Sequence, residues 1–464
     1  MRRVALTSSL PPSVRLRQLV DRESTGALAL SAALPFLFLH ERFQPEYGLE
    51  LGSTTVDLRL SDAAVVLVLA AALVVASRRG IERLRPGRAV WIPGVLLLLW
   101  LAFQVVRPAS TDDALFDDHV VTYLKLVEYA LLVAAVPLLV RRAQDLTILL
   151  GGLVLWSAVA TAVGVVQFAG VDVFDAANAG WRQPSFVGFH DLAGLSALAL
   201  SLVVAGILAT RRHTPAGALF GVAVVAGVVG LILAGSVTAA AGLALGAFVA
   251  FLAGRGRFRP TGLRVLALVT IVAVVGAGVT AIRSDTLNDF LQFVGLREDE
   301  QSLGVESYSQ RTVLSYIGLR IFQDEPIVGV GWQRSSRPDV FEPYLADAQA
   351  RFPDVDPLAF PAEGREWGVQ NLYVQMLADA GAIGLLLVLA LGVGGTMLAW
   401  RTAGYAPNPW AAGAGLAMLC ALATIAGTWA SLGIVAGIPL QAATSLVLGL
   451  AVAGAAAAEE HIAG

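Results

Sequence analysis

The chain has 464 residues, of which 56% are hydrophobic and only 14% charged, with a net charge of −3 and a mean hydropathy of +0.71. Soluble domains usually have about a quarter charged residues, so this composition excludes an ordinary soluble protein. The sequence contains no basic patch or nucleic-acid motif, and its single cysteine, Cys420, excludes intrachain disulfides and cysteine metal sites.

Apolar runs follow one another along most of the chain. Runs of about 20 such residues are long enough to cross a bilayer. The sequence therefore predicts an all-α integral membrane protein with about 12 transmembrane helices and one large extracytoplasmic loop containing short helices. The short first span and the tightly joined pair around Gly235 leave the count open by one or two. The predicted spans are 26–40, 61–77, 90–106, 119–140, 146–169, 186–210, 216–234, 236–253, 263–282, 372–400, 410–430 and 432–456.

The connections between the spans alternate in charge. Arginines concentrate in the first 25 residues and in every second connection, whereas the connections between them are acidic or neutral. Because lysine and arginine mark the cytoplasmic side, we predict cytoplasmic termini in the inner membrane and a large loop outside. The predicted parts are a tail at 1–25, helices 1–9 at 26–282, the loop at 283–371, helices 10–12 at 372–456 and a tail at 457–464.

The loop is predicted to begin with an amphipathic helix over 307–323. Ser307 and Gln310 have the spacing of a capping box, and Pro326 predicts that the helix ends near Asp324. Residues 334–367 are rich in proline and acidic side chains, which favours an irregular segment. The apolar stripe of the helix is Val313, Leu314, Ile317 and Ile321.

A second amphipathic stretch leads from the loop into the next span. Its apolar positions have helical spacing, and we predict that its polar side chains face a cavity at the outer leaflet. These polar residues are Gln370, Asn371, Gln375 and Asp379.

Three motifs resemble those of the O-antigen ligase and polymerase family of membrane glycosyltransferases. The first is an arginine-led helix that ends in a Pro-x-x-Gly-x-Gly turn, from Arg311 to Gly331. The second lies in 370–381, where Gln-Asn-Leu-Tyr precedes Leu-Ala-Asp-Ala-Gly. The third, looser, is the arginine-containing segment 182–188. The number of spans and the position of the loop also resemble that family.

The resemblance implies transfer of a glycan from a polyprenyl diphosphate carrier to a glycan or lipid acceptor. The reaction, whether polymerase or ligase, would take place at the outer side of the cytoplasmic membrane and would need no cofactor and no metal. The implied partners are the lipid-linked glycan, the acceptor, the bilayer and possible further proteins of polysaccharide assembly, and no nucleic acid. Two alternatives stay open: a polytopic transporter or flippase, and a catalytically silent member of an assembly complex.

The resemblance also implies a set of site residues. Arginine pairs bidentately with phosphate and would stabilise the departing diphosphate, so Arg311 is the first candidate. Arg320 lies nine residues further along and is placed near the same helix face as Arg311. The catalytic candidates are Arg311, Gln370, Asp379 and His190, and the substrate-binding candidates are Arg182, Arg320, Asn371 and Tyr373.

Two positions depart from the family pattern. Gln370 stands where the family has the histidine taken to assist proton removal, and a glutamine amide cannot act as a base. His190, at the mouth of a span, is the candidate replacement. Ser236-Val237 stands where the family often has Ser-Arg.

One pair of charges lies inside a predicted span. Lys125 and Glu128 are three residues apart, so they share a helix face. Such residues are functional candidates, but we favour an ion pair between the two that fixes packing.

Overall fold

The protein is described by a computed structural model for residues 24–51, 54–107, 113–174, 180–209, 217–285, 308–365, 367–406, 409–434 and 438–463. Residues 1–23 of the predicted tail 1–25 lie outside these described residues. The predicted helix cap Ser307 also lies outside them. The described chain is almost wholly helical.

Twelve apolar helices form the membrane bundle in the described part of the chain. Eleven of them are long and apolar enough to span a bilayer, and α1 has 13 residues. The prediction of an all-α polytopic membrane protein is confirmed. The helices are α1 (Thr25–Leu37), α2 (Leu60–Arg79), α3 (Arg88–Val106), α4 (Asp113–Leu139), α5 (Ala143–Phe168), α6 (Phe189–Ala209), α7 (Gly217–Ala234), α8 (Val237–Phe258), α9 (Gly262–Ile282), α12 (Leu372–Tyr405), α13 (Pro409–Trp429) and α14 (Pro439–Ala463).

Between α9 and α12 the described chain forms a small domain outside the bundle. It contains α10 (Tyr308–Asp324) and α11 (Pro338–Arg351), which pack together around Ile317 and Phe341. The predicted helix over 307–323 is therefore confirmed, whereas the prediction that 334–367 is irregular is wrong for α11. Pro338 occupies the first helical position, where the missing N–H of proline has no consequence. We call the end of the bundle that bears this domain the loop end.

A two-stranded antiparallel hairpin joins α1 to α2 at the same end. Its strands are β1 (Tyr47–Leu51) and β2 (Thr54–Leu58), with Tyr47 opposite Leu58. Arg59, which follows the hairpin, forms ion pairs with Glu41 and Glu46.

The most buried helices of the bundle are α6, α13 and α14. Small residues let α13 approach α8 closely: a Cβ at Gly246 would lie 2.6 Å from the carbonyl oxygen of Cys420, and one at Gly427 would overlap the carbonyl of Thr238. Membrane helices commonly pack through small residues in this way. The contact brings the first turn of α8 against the last turn of α13, and both lie at the loop end.

The turn after α10 packs against the first third of α12, where that helix is kinked at Gly381. Gly331 N donates to the Asp379 carbonyl and Ala382 N to the Pro326 carbonyl, both at 2.9 Å. Gly381 has φ +66° at this contact, and a Cβ there would overlap the Ile327 carbonyl. The two glycine-containing motifs of the sequence are therefore in direct backbone contact.

Side chains of α3 complete the hydrogen bonding of this turn. Gln104 Nε2 donates to the Val328 carbonyl at 2.8 Å, and Arg107 donates to the Gly329 carbonyl. Trp332 is fully buried, and its indole N–H donates to Thr122 Oγ1 of α4 at 3.0 Å. Non-helical backbone at membrane depth is stable only where protein groups satisfy it, which is the case here.

The charged pair predicted within α4 does not form. Lys125 Nζ instead lies 3.2 Å from Asp62 Oδ2 of α2 and donates to the Asp57 carbonyl at 3.0 Å. The prediction of a Lys125–Glu128 ion pair is wrong because the neighbouring helix supplies a carboxylate that is itself fixed by the Arg59 amide. The pair joins two helices rather than two turns of one.

Candidate functional site

The candidate site lies at the loop end, where several helix ends meet. Its side chains come from the first turns of α6, α8, α10 and α12, from the segments that precede α6 and α12, and from the segments that follow α9 and α13. Most of the residues predicted from sequence are found here, although some are separated from the rest.

Arg311 and Gln370 are in direct contact. Arg311 Nε donates to Gln370 Oε1 at 3.0 Å, and both side chains are half-buried. Arginine has five N–H donors, so this bond uses only one of them. Gln370 thus fixes the orientation of the guanidinium, which an amide can do although it cannot act as a base.

Asn371 and Tyr373 bind the backbone of neighbouring segments. Asn371 Oδ1 accepts from the amides of Tyr373 and Val374, which caps α12. Asn371 Nδ2 donates to the Ala430 carbonyl and Tyr373 Oη to the Ala426 carbonyl, each at 2.9 Å. Both residues hold the end of α13 beside Gln370, and their contact with substrate stays a prediction.

Asp379 and Gln375 do not face an open cavity, so that prediction is wrong. Asp379 is fully buried and its Oδ1 accepts from the Ser335 amide at 2.9 Å. Gln375 Oε1 accepts from the Ile434 amide at 2.6 Å. Both lie further along α12 than Gln370, where the helix is covered by the turn after α10 and by the segment after α13. The catalytic role of Asp379 stays a prediction.

Arg182 packs against the first residue of α6. Its guanidinium carbon is 3.8 Å from the ring centroid of Phe189, within the range of a cation–π contact. Gln183, the next residue, donates its amide to the Leu233 carbonyl at 2.8 Å. These contacts place Arg182 between the first turn of α6 and the last turn of α7.

Arg283 is a site residue that sequence reasoning missed. It follows α9 directly, is buried, and packs beside Arg182 at Gly235: a Cβ at Gly235 would lie 3.2 Å from Arg182 Cβ and 3.4 Å from Arg283 Cδ. The signal was available, because an arginine at a predicted outer span end runs against the charge bias. Arg283 thus brings a cation to the turn where Val237 replaces the arginine of the family pattern.

His190 lies among these arginines. It is half-buried in the first turn of α6, and the charges of Arg311, Arg182 and Arg283 all act on it. Its Nδ1 is 3.5 Å from Ser431 Oγ. The site therefore contains three arginines and one imidazole, contributed by four segments of the chain.

Arg320 lies apart from the site. It forms an ion pair with Asp347 at 3.0 Å and donates to Gln323 Oε1 at 2.7 Å, in the domain formed by α10 and α11. Helical residues are about 100° apart, so nine residues turn a side chain to the opposite face. The placement of Arg320 near the face of Arg311 is wrong.

The model of the O-antigen ligase family matches residues 222–389. This part of the chain is similar to the O-antigen ligase domain. The match extends from α7 to the middle of α12 and so includes Arg283, Arg311 and Gln370, while Arg182, His190 and Ser431 lie outside it. No curated protein matches the chain. Together with the membrane helices, the match supports a multi-pass membrane protein related to a glycan-processing enzyme family.

Proposed function

We propose that the protein transfers a glycan from a polyprenyl diphosphate carrier to a hydroxyl group of a glycan or lipid acceptor. The observation that supports this most is the group formed by Arg182, Arg283 and Arg311 around His190, at the loop end and partly inside the O-antigen ligase domain. A diphosphate is the leaving group whose charge such a group of arginines would stabilise.

The reaction proceeds by attack of the acceptor oxygen on the anomeric carbon of the donor. The bond from that carbon to the diphosphate breaks, and the sugar has oxocarbenium character in the transition state. Arg311 and Arg182 bind the diphosphate oxygens, and Arg283 adds a third positive charge. Gln370 keeps the guanidinium of Arg311 in position throughout.

Transfer in proteoliposomes tests this proposal. Purified protein is supplied with polyprenyl-diphosphate glycan and an acceptor, and the product is separated by gel electrophoresis. Because bidentate pairing depends on the planar fork, Arg311→Lys should lose nearly as much product as Arg311→Ala. Arg351→Lys, at an exposed position on α11, is the matched control. Product at the normal level from Arg311→Ala would exclude the proposed role.

We further propose that the loop end faces outward from the cytoplasmic membrane. The arginine-rich connections support this orientation. Cys420 is replaced by serine, and single cysteines are placed at the exposed positions Ala350 and Glu82. An impermeant maleimide should label residue 350 and not residue 82 in intact cells, and the reverse pattern would overturn the orientation.

A further inference from the structure

His190 belongs to a chain of hydroxyl groups that joins the ends of three helices. Thr238 Oγ1 donates to Ser431 Oγ at 2.9 Å, and Ser431 Oγ donates to the Thr428 carbonyl at 3.0 Å. Ser236 Oγ lies 3.4 Å from Thr238 Oγ1. The chain ends at His190 Nδ1, which is 3.5 Å from Ser431 Oγ.

The hydrogen bonds of this chain favour one form of the imidazole. A serine hydroxyl has one proton and two lone pairs. The proton of Ser431 is used on the Thr428 carbonyl, and one lone pair accepts from Thr238. When Ser431 makes both of these bonds, its second lone pair accepts from His190 Nδ1, which then bears the proton. In a neutral imidazole this leaves Nε2 with its lone pair, the form that accepts a proton.

The close contact between α8 and α13 positions this chain. Thr238 lies one turn before Gly242, where a Cβ would be only 2.8 Å from the Ala423 carbonyl. Backbone packing of α8 on α13 therefore brings Thr238 and Ser431 together. The contact of 3.5 Å is long, as catalytic hydrogen bonds often are before substrate binds.

We infer that His190 is the proton acceptor of the transfer reaction and that Ser431 and Thr238 are positioning residues that hold it in the Nδ1-protonated form. This inference rests on the proposed function. As the acceptor oxygen bonds to the anomeric carbon, its proton passes to Nε2, and the electron pair of the broken carbon–oxygen bond stays on the diphosphate. The negative charge of the departing diphosphate offsets the positive charge that His190 gains. This group takes the place of the base that Gln370 cannot supply.

The protonation of His190 can be measured without any reaction. The chain has five histidines, so protein labelled with 15N-histidine in liposomes gives few ring signals in solid-state NMR, and His190→Gln identifies the signal of interest. At pH 7.5 we expect an Nδ1-protonated ring, and Ser431→Ala should shift it toward a mixture. A ring protonated at Nε2, or at both nitrogens, would overturn the inference.

Steady-state kinetics test the catalytic role. His190→Gln should lower kcat by about a hundredfold to ten-thousandfold. Ser431→Ala should lower kcat roughly threefold to tenfold without changing KM for the lipid donor, and Ser431→Thr should restore it. In the His190→Gln protein, Ser431→Ala should have no further effect, because residues that act as one unit are not additive. Ser77→Ala, at an exposed serine of α2, is the control.

The outcomes separate this inference from the proposed function. Full activity of His190→Gln would refute the role of His190 while leaving glycan transfer intact. The same holds if the losses of kcat from His190→Gln and Ser431→Ala multiply in the protein that has both substitutions. Absence of product from the unaltered protein would refute both the transfer and the role of His190 in it. The NMR result would then still decide whether Ser431 orients the ring.

Discussion

Replacing Gln370 tests whether it orients Arg311 or marks a lost base. Its Oε1 accepts from Arg311 Nε at 3.0 Å. A hydrogen bond to a charged group contributes about 1.5–3 kcal/mol, and about 1.4 kcal/mol corresponds to a factor of ten. Complete loss would therefore lower kcat/KM by about 10-fold to 150-fold. Because both side chains are half-buried and water can replace part of the bond, we expect Gln370→Ala to be near the lower limit.

Two further variants sharpen this test in the proteoliposome assay. A histidine at this position retains a nitrogen that can accept from Arg311, so Gln370→His should stay within a few-fold of the unaltered protein. Gln370→Glu should be worse than Gln370→Ala, because a carboxylate would neutralise the charge needed for diphosphate. Gln323→Ala removes a similar arginine–glutamine contact far from the site, with Arg320, and should change nothing. An increase of a hundredfold or more from Gln370→His, the range of general-base catalysis, would refute this reasoning.

Three further predictions are tested by thermal unfolding in detergent. Gly381→Ala should lower Tm and product. Its φ of +66° with ψ of −170° is a conformation almost confined to glycine and costs roughly 1–3 kcal/mol for other residues, and its Cβ would overlap the Ile327 carbonyl. An unchanged Tm would contradict the described contact. Burial lowers the pKa of His40 from its ordinary 6.5. As pH falls, the unfolded chain therefore takes up the proton before the folded protein does, and stability should fall as pH drops below about 6.5. His40→Gln should remove this dependence of Tm on pH. Arg83 is buried against Glu460 and three carbonyls. Arg83→Ala should therefore lower Tm strongly. Glu460→Ala changes a half-exposed partner and should lower Tm only slightly.

The membrane helices could be predicted because their signals are local. A run of apolar residues identifies a span wherever its neighbours in space lie. The helix α11 was missed for the opposite reason: Pro343 lies inside it and removes the amide that would reach the Asp339 carbonyl. Packing of Phe341 and Ala348 against α10 stabilises the helix despite this loss. Such tertiary compensation cannot be read from the segment alone.

The site could be predicted only in part because its contacts join distant segments. Arg311 and Gln370 were each identified from motifs, but their hydrogen bond spans 59 positions. The bond between Thr238 and Ser431 spans 193. Isolated serines and threonines in apolar helices are common and usually bond their own backbone. Only the packing of α8 on α13 distinguishes this pair from the others.

The contact between the turn after α10 and the first third of α12 also has a consequence for biosynthesis. The ribosome makes α3 and α4 first and then the turn. The Asp379–Ala382 segment, whose backbone groups form hydrogen bonds with the turn, is made only afterwards. Until α12 has been inserted, the amides of Val330 and Gly331 have no partner from it. Folding of this domain should therefore be completed late, after most of the membrane helices are in place, and a chain released before residue 382 should be a substrate for membrane proteases.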